Sequence, residues 1–324
     1  MKPILGMGNA LVDILVTLPD ESILSSLGLT KGSMQLVDLA FSERVLDRVK
    51  KYDFSIMSGG SASNTIHGLS RLGAECSFVG KISDDEFGNA FESDLIKSSV
   101  KPKLFKGSLE TGRAVALITP DSERTFATYL GSAVTLSAEE ITPELFEGYD
   151  YFHVEGYLVQ NHALIEKALS TAKNMGLVTS LDLASFNIVT ENLGFLQNLV
   201  KNYVEIVFAN EEEARSFTGL DPAESVNKIS EMCRIAVVKT GAKGSIVRCE
   251  ENVCEVGSFK VNPVDTTGAG DLYASGFIFG LMNGKSLVEC ARTGSFLASK
   301  VIEKVGAKIP ESEWASILTE IGRI

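Results

Sequence analysis

A run of small and polar residues at 265–271 (DTTGAGD) stands directly before an apolar stretch with the character of a helix. Its two glycines would let a phosphate approach the backbone, and the N–H groups and dipole at a helix start attract anions. Asp271 falls in the first turn, where its carboxylate could accept a proton from an attacking hydroxyl. The run predicts a phosphoryl-transfer site, although a plain capped helix start would use the same residues.

Two further patterns carry polar groups at the starts of helices. Gly59 and Gly60 permit close backbone approach, and Asn64 offers a donor and an acceptor to a polar ligand. Asn210 and Glu213 follow the β-branched run 204–208, and the carboxyl ends of strands are where open α/β sheets bind ligands. Glu213 could hold Mg²⁺ through water, but acidic residues also stabilise a helix start without any metal.

The elements that would position these residues alternate between strand and helix. Apolar runs typical of buried strands occur at 4–5, 78–79, 204–208 and 235–238. Stretches with helical character occur at 63–72, 163–175, 211–217 and 270–282. The alternation predicts a mostly parallel sheet covered by helices on both faces. Residues around 12–38 and 104–131 break it and predict a small β-sheet lid on a single domain of residues 1–324.

Composition and charge exclude several classes of protein. The chain has 324 residues, of which 44% are hydrophobic, and a formal net charge of −12. These values are typical of a globular protein and argue against a broad surface for nucleic acid or anionic membrane. Asn9 and Asp13 interrupt the apolar N-terminal stretch, so we expect a buried first strand and a cytoplasmic protein. Gly6 and Gly8 begin a dinucleotide-binding pattern, but Leu11 replaces its third glycine, which disfavours a dehydrogenase.

Four motifs, in order along the chain, resemble those of the PfkB, or ribokinase-like, family of ATP-dependent sugar and nucleoside kinases. The stretch 59–73 (GGSASNTIHGLSRLG) is similar to the first signature of the family, and 265–271 to the second. Residues 210–214 (NEEEA) match its Asn-x-x-Glu motif, and residues 239–245 (KTGAKGS) match its nucleotide loop. The resemblance spans almost the whole chain and implies a ribokinase-like α/β fold, a three-layer α/β/α sandwich with a small β-sheet lid.

The resemblance also implies a role for each matching residue. Asp271 would be the general base, and the N–H groups of Gly268, Ala269 and Gly270 would form the anion hole for the transferring phosphoryl group. Glu213 would help to position Mg²⁺. The residues implied in binding ATP are Asn210, Lys239, Thr240, Gly241, Gly244 and Thr267. Those implied in holding the substrate are Asn9, Asp13, Gly59, Gly60, Asn64 and Glu155.

The sequence leaves the acceptor open. The segment 8–13 (GNALVD) resembles the adenosine kinase branch. Arg124 falls near where that branch places a basic lid residue, and it could act as a catalytic residue that neutralises phosphate, although a solvated hairpin arginine would also fit. Thr267 and Tyr157 depart from the pattern of that branch, and Glu155 lies near a ribokinase carboxylate that binds sugar hydroxyls. A sugar or sugar phosphate therefore stays an alternative to a nucleoside. A noncatalytic sugar or nucleoside sensor is the alternative from another class.

The remaining expectations concern ions and partners. The resemblance allows K⁺ to bind through the carbonyls of Asp265 and Thr267, in addition to ATP and Mg²⁺. We expect a small-molecule sugar or nucleoside as the partner, with neither nucleic acid nor membrane. The chain is expected to be a monomer or a homodimer, because the unpaired edges of a small sheet favour pairing between copies.

Overall fold

The computed structural model describes residues 2–121 and 123–324, which form two β-sheets and the helices that cover them. The strands are β1 (Ile4–Met7), β2 (Leu11–Thr17), β3 (Met34–Leu36), β4 (Phe54–Gly59), β5 (Cys76–Ile82), β6 (Val100–Lys106), β7 (Gly112–Ile118), β8 (Arg124–Tyr129), β9 (Tyr151–Glu155), β10 (Val178–Asp182), β11 (Ile206–Asn210), β12 (Ile235–Lys239), β13 (Ser245–Cys249) and β14 (Asn252–Val256). The α-helices are α1 (Ser22–Leu27), α2 (Leu39–Val49), α3 (Ser61–Arg71), α4 (Glu86–Lys97), α5 (His162–Asn174), α6 (Phe186–Glu191), α7 (Leu193–Tyr203), α8 (Glu211–Thr218), α9 (Pro222–Ser230), α10 (Ala269–Met282), α11 (Leu287–Val301) and α12 (Trp314–Ile321).

The large sheet has nine strands in the order β14-β13-β12-β11-β10-β9-β1-β5-β6. The strands from β12 to β6 run parallel, and only β13 and β14 are antiparallel to their neighbours. Parallel strands need crossover helices, which accounts for the alternation of strand and helix along the sequence. The carboxyl ends of β9 to β12 consequently meet at one edge of the sheet.

Helices cover both faces of the large sheet. In β12, Ile235 and Val237 belong to one hydrophobic core, whereas Ala236 and Val238 belong to the other. Helices α3, α10 and α11 bury side chains in the first core, and α5, α7, α8 and α9 do so in the second. The predicted three-layer α/β/α architecture is confirmed. None of the helices within the described ranges has the length and apolar character needed to cross a bilayer.

A small sheet of five strands, in the order β3-β8-β7-β2-β4, stands beside the large one. The strands of this sheet differ in two respects from the predicted lid segments, about 12–38 and 104–131. Strand β4 belongs to the small sheet although it lies outside those ranges, and residues 104–106 belong to β6 of the large sheet. A short apolar run predicts a strand but does not determine the sheet in which it pairs. Met1 and Ser122, which fall within the predicted domain and lid, lie outside the described residues.

The two faces of the small sheet differ. Alternate residues such as Val12, Ile14 and Val115 are buried in the first core, which α2 and α4 also enter. The register aligns the residues of the opposite face in rows, since cross-strand partners share a face, and two of these rows lie at the centre of the sheet. One row is Leu36, Thr128, Ala114, Asp13 and Met57, and the other is Met34, Phe126, Ala116, Leu15 and Ser55.

The first two strands of the chain occupy interior positions in both sheets. Strand β1 lies between β9 and β5 in the large sheet, and β2 lies between β7 and β4 in the small one. Only residues 8–10 connect these two strands. The amino-terminal segment therefore joins the sheets directly at the point where the carboxyl end of β1 faces the small sheet.

Candidate active site

A cleft of about 1130 Å³ opens at the carboxyl ends of the parallel strands. The large sheet and its helices contribute acidic, amide and ammonium groups to the lining, and the small sheet contributes one carboxylate and one aromatic ring. The lining residues that bear on its chemistry are Asp13, Ser61, Asn64, Phe126, Tyr157, Asp182, Asn210, Glu213, Lys239, Gly268, Gly270 and Asp271. Most residues predicted from the sequence motifs are thus brought to one place.

Asp271 lies in the first turn of α10, and two side chains of α3 hold its carboxylate. Ser61 Oγ donates a hydrogen bond of 2.7 Å to Oδ1, and Asn64 Nδ2 donates one of 3.0 Å to Oδ2. Burial raises the pKa of Asp271 to about 6, against the lowering effect of these two hydrogen bonds. A carboxylate with this pKa is ionised near neutral pH and is basic enough to accept a proton in a reaction.

The start of α10 presents backbone N–H groups to the cleft. Gly268 has a φ of 77°, and a Cβ atom at this position would lie 2.7 Å from Ala307, so the turn requires glycine. Within the described residues, no group accepts a hydrogen bond from the N–H of Gly268, Gly270 or Asp271. The N–H of Ala269 is instead donated to the carbonyl of Thr266 at 3.2 Å. Ala269 N–H is thus engaged within its own turn in this structure, and its part in the anion hole stays a prediction.

A second acidic group lies at the start of α8. Asn210 and Glu213 form a capping box, in which the Glu213 carboxylate accepts from Asn210 N at 2.8 Å and from Asn210 Nδ2 at 2.6 Å. Burial, together with the charge of Asp182, raises the pKa of Glu213 to about 7. The helix-capping interpretation of this motif therefore holds, and the same carboxylate also lines the cleft.

A bound divalent cation fits the charges of the cleft. Among residues 2–121 and 123–324, no three acidic, histidine or cysteine side chains converge to hold a metal by themselves. Mg²⁺ that travels with a nucleotide needs only one or two carboxylates besides the phosphates. Asp182, Glu213 and Asp271 place three carboxyl groups around the ammonium of Lys239. The excess of acidic groups leaves room for further positive charge.

Asp13 extends from β2 of the small sheet into the cleft. Gly59 lies opposite the neighbouring Leu11, and a Cβ atom on Gly59 would come 2.2 Å from Asp13 Oδ1. Gly60 has a φ of 89°, and a Cβ atom there would meet the carbonyl oxygen of Asn9 at 2.4 Å. The glycine pair thus makes space for the Asp13 carboxylate and for the turn into α3. Burial raises the pKa of Asp13 to about 7.

Arg124 ties the small sheet to the loop before α10. Its guanidinium pairs with Asp265 Oδ2 at 2.6 Å and donates a hydrogen bond of 3.1 Å to Thr267 Oγ1. The side chain is only 9% exposed, which excludes the solvated hairpin arginine considered from the sequence. Asp265 also accepts from the N–H groups of Thr267 and Gly306. Binding of K⁺ by the carbonyls of Asp265 and Thr267 stays a prediction.

Asn9 and Glu155, predicted to hold the substrate, do not line the cleft. Glu155 Oε1 accepts from the backbone and side-chain nitrogens of Asn9 at 3.0 and 2.9 Å, and Oε2 accepts from Ala62 N at 2.8 Å. Burial raises the pKa of Glu155 to about 7. In this structure Glu155 joins β9 to the turns that follow β1 and precede α3, and its contact with substrate stays a prediction.

The nucleotide loop is divided between the cleft and a neighbouring surface. Lys239, Gly241 and Gly244 line the cleft together with Thr267. Thr240 instead faces a separate depression, and its N–H is donated to the carbonyl of Gly244 at 2.8 Å. Thr240 therefore shapes the loop and is not among the residues that line the cleft.

Among the cleft residues that the sequence reasoning missed, three bear directly on the proposed chemistry. Asp182 ends β10, and the rule that ligands bind at the carboxyl ends of strands, applied to the run 178–182, would have indicated it. Ser61 stands inside the first motif, but its contact with Asp271 needs the three-dimensional fold. Phe126 was one apolar residue of a predicted strand, and no local signal showed that it faces a ligand site.

The fold and the site together define a phosphotransferase of the ribokinase-like class. Residues 25–314 match the pfkB family carbohydrate kinase model, and the chain therefore belongs to this family. Its members transfer a phosphoryl group to an alcohol, and both sugar kinases and adenosine kinases are among the relatives of this chain.

Two solved structures and one further relative agree with this assignment. A probable sugar kinase from Rhizobium etli is 31% identical, with a TM-score of 0.90 and coverage of 100% of this chain and 99% of the other. An adenosine kinase from Sinorhizobium meliloti is 32% identical, with a TM-score of 0.88 and coverage of 98% and 99%. An uncharacterized sugar kinase from Archaeoglobus fulgidus is 29% identical over 74% of this chain and 96% of its own length.

Proposed function

We propose that this protein transfers the γ-phosphoryl group of ATP to a primary hydroxyl of a nucleoside, with Asp271 as the general base. One observation carries the proposal: the Asp271 carboxylate lies beside N–H groups of Gly268 and Gly270 that no described residue engages. A base and an anion-binding backbone in one cleft are the two parts that phosphoryl transfer requires.

The proposed reaction uses these groups in sequence. Asn64 and Ser61 orient the carboxylate of Asp271, which takes the proton of the acceptor hydroxyl. The hydroxyl oxygen forms a bond to the γ-phosphorus as the bond between that phosphorus and the β–γ bridging oxygen breaks, and ADP leaves. The N–H groups at the start of α10 stabilise the equatorial oxygens of the transferring group. Glu213 would help to hold the Mg²⁺ that accompanies ATP, and the ion would supply positive charge for the phosphates.

The apolar part of the cleft supports a nucleoside as the acceptor. Phe126 and Tyr157 both line the cleft, and Met34 lies beside Phe126 in the same row of the small sheet. Met34 is 51% exposed and Leu36 is 57% exposed, so this face has an apolar surface to offer to a flat ring. Asp13 lies in the adjacent row and could accept hydrogen bonds from two ribose hydroxyls.

The basic groups near Asp13 support an acceptor without a phosphate. Arg124 is paired with Asp265, and Lys308 is paired with Asp94 and donates to Ser58 Oγ at 2.5 Å. Both charges are therefore compensated by carboxylates of the protein. A phosphorylated acceptor would have to compete for these cations, and we expect sugar phosphates and nucleotides to be poor acceptors.

A sugar kinase is the second candidate. Asp13 and Asn64 could hold the hydroxyls of a pentose or hexose without any contact to Phe126. Two of the three similar proteins described above are sugar kinases by name. The two candidates differ in whether the apolar row of the small sheet contributes to binding.

A screen of acceptors with ATP and Mg²⁺ tests the proposal. ADP release would be measured with nucleosides, pentoses, hexoses and their monophosphates, with Asp271→Asn as the inactive control. We expect a nucleoside to give the highest kcat/KM. A pentose or hexose with a higher value would establish the second candidate instead. Stoichiometric binding of these compounds without ATP consumption would indicate a sensor and would contradict both.

A further inference from the structure

Lys239 is a buried lysine whose ammonium lies inside the cleft. Its Nζ pairs with Asp182 Oδ2 at 2.8 Å, and its side chain is 14% exposed. The pair spans the carboxyl ends of β10 and β12 on either side of β11. A buried pair of this kind keeps its geometry because each partner compensates the charge of the other.

The ammonium also adjoins the anion-binding turn. A Cβ atom on Gly270 would come 2.9 Å from Lys239 Nζ, which places the ammonium next to the backbone of Gly270 in the first turn of α10. An ammonium has three donors, and Asp182 is the one described acceptor bonded to Nζ. Two N–H bonds therefore stay available to a group that enters the cleft.

The charges around Lys239 keep it protonated. Burial lowers its pKa, but Asp182, Glu213 and Asp271 raise it, and the net direction is upward. Lys239 consequently cannot serve as a base near neutral pH. It can serve as a fixed positive charge with directed hydrogen bonds.

Resting on the proposed phosphoryl transfer, we propose that Lys239 is a catalytic residue that donates a hydrogen bond to an equatorial oxygen of the transferring phosphoryl group. Asp182 is the positioning residue that holds the ammonium beside Gly270. Lys239 retains all its protons during the reaction, while the acceptor proton goes to Asp271 and the phosphorus–oxygen bond to ADP breaks. The role goes beyond nucleotide contact, because the bond strengthens as charge develops on the phosphoryl oxygens.

The first test replaces the ammonium with an uncharged side chain of similar length. In Lys239→Met, kcat should fall about 10²- to 10³-fold, as when one donor to a developing oxyanion is removed, with a much smaller change in the Kd of MgATP. The matched control is Lys81→Met. Lys81 is paired with Glu140 at the same distance of 2.8 Å, has a side chain 12% exposed, and lies outside the cleft lining. The kcat of Lys81→Met should stay within about twofold of that of wild type.

Removal of Lys239 alone leaves Asp182 buried without its cation and can prevent folding. The double variant Asp182→Asn, Lys239→Met is neutral at both positions and should unfold at a Tm close to that of wild type. Its kcat should equal that of Lys239→Met, since Asp182 acts through Lys239. A folded double variant with kcat near wild type would overturn the catalytic role. A further loss caused by Asp182→Asn in the Lys239→Met background would overturn the positioning role.

A binding measurement separates this inference from the proposed function. The complex of MgADP with aluminium fluoride mimics the planar phosphoryl group of the transition state. The affinity of the protein for this complex can be measured without turnover. Wild type should bind this mimic more tightly than MgADP, and Lys239→Met should lose most of that difference. If wild type and Lys239→Met bind the mimic more tightly than MgADP by the same factor, the inference is overturned even if nucleosides are phosphorylated. If the acceptor screen shows no phosphorylation of nucleosides, weaker binding of the mimic by Lys239→Met would still support the contact between Lys239 and the phosphoryl group.

Discussion

The two walls of the cleft differ in chemistry. The wall formed by the large sheet and α10 presents Asp182, Lys239 and Asp271, and its backbone offers N–H groups. The wall formed by the small sheet presents Phe126 with Met34 beside it, and Asp13 is its charged residue in the lining. The contrast suggests that one wall stabilises the transition state and the other recognises the acceptor. Substitutions on the first should lower kcat, and substitutions on the second should raise KM.

The largest effect is expected for Asp271→Asn on the large-sheet wall. The amide keeps the shape of the side chain but cannot take the proton, so kcat should fall about 10³-fold. The Kd of MgATP, measured by calorimetry, should change little. A kcat of Asp271→Asn near the wild-type value would show that Asp271 is not the base. It would also contradict the proposed difference in function between the two walls.

The second-largest effect is expected for Arg124, which connects the small sheet to the loop before α10. Arg124→Ala removes the ion pair with Asp265 and the hydrogen bond to Thr267, which position the loop before α10 from the small sheet. A displaced loop should lower kcat about 10²-fold. Asp265→Asn is the partner variant, and combining both changes should cost no more than one of them. Additive losses would show that Arg124 acts on the reaction independently of Asp265.

The pH dependence of the large-sheet wall follows from the pKa of Asp271, which is about 6. The base must be ionised, so kcat/KM should fall as the pH drops through this value, by about tenfold for each further unit. Profiles of kcat/KM from about pH 5 to pH 9 would test this. A flat profile at the acidic end would show that another group accepts the proton.

The smallest effect is expected on the small-sheet wall. Phe126→Ala should raise KM for a nucleoside about five- to tenfold, because stacking on a base is worth about 1 kcal/mol or more. The kcat should change by less than about threefold. The same variant assayed with a pentose is the control, since a bare sugar has no ring to stack. An equal rise in KM for both acceptors would contradict base recognition by Phe126.

The sequence predicted the large-sheet wall better than the small-sheet wall. The large sheet has strands buried on both faces and helices that begin at motifs, so short local patterns indicate both the element and the ligand edge. The position of Asp271 follows from such a pattern. The engagement of Ala269 with Thr266 does not, because it depends on the conformation of one turn.

The small sheet and the neighbours of Asp271 depend on contacts between distant segments. Strand β4 joins β2 through a register that no local run specifies. Ser61 reaches Asp271 only because α3 packs against α10, and Asp182 reaches Lys239 across β11. Glu155 was predicted to bind substrate because it lies near a ribokinase carboxylate that binds sugar hydroxyls, and in the fold its carboxylate accepts hydrogen bonds from Asn9 and Ala62.

The interior positions of β1 and β2 have a consequence for the order in which the chain folds. Leu11 lies opposite Gly112, and Ile4 lies opposite Tyr151, so β1 and β2 are synthesised long before these partners. Pairings of such long range are slow to form, because the loop between them must close first. Until β9 is available, apolar strands near the amino terminus stay exposed to aggregation. We therefore expect nascent chains that end before residue 155 to depend on chaperones.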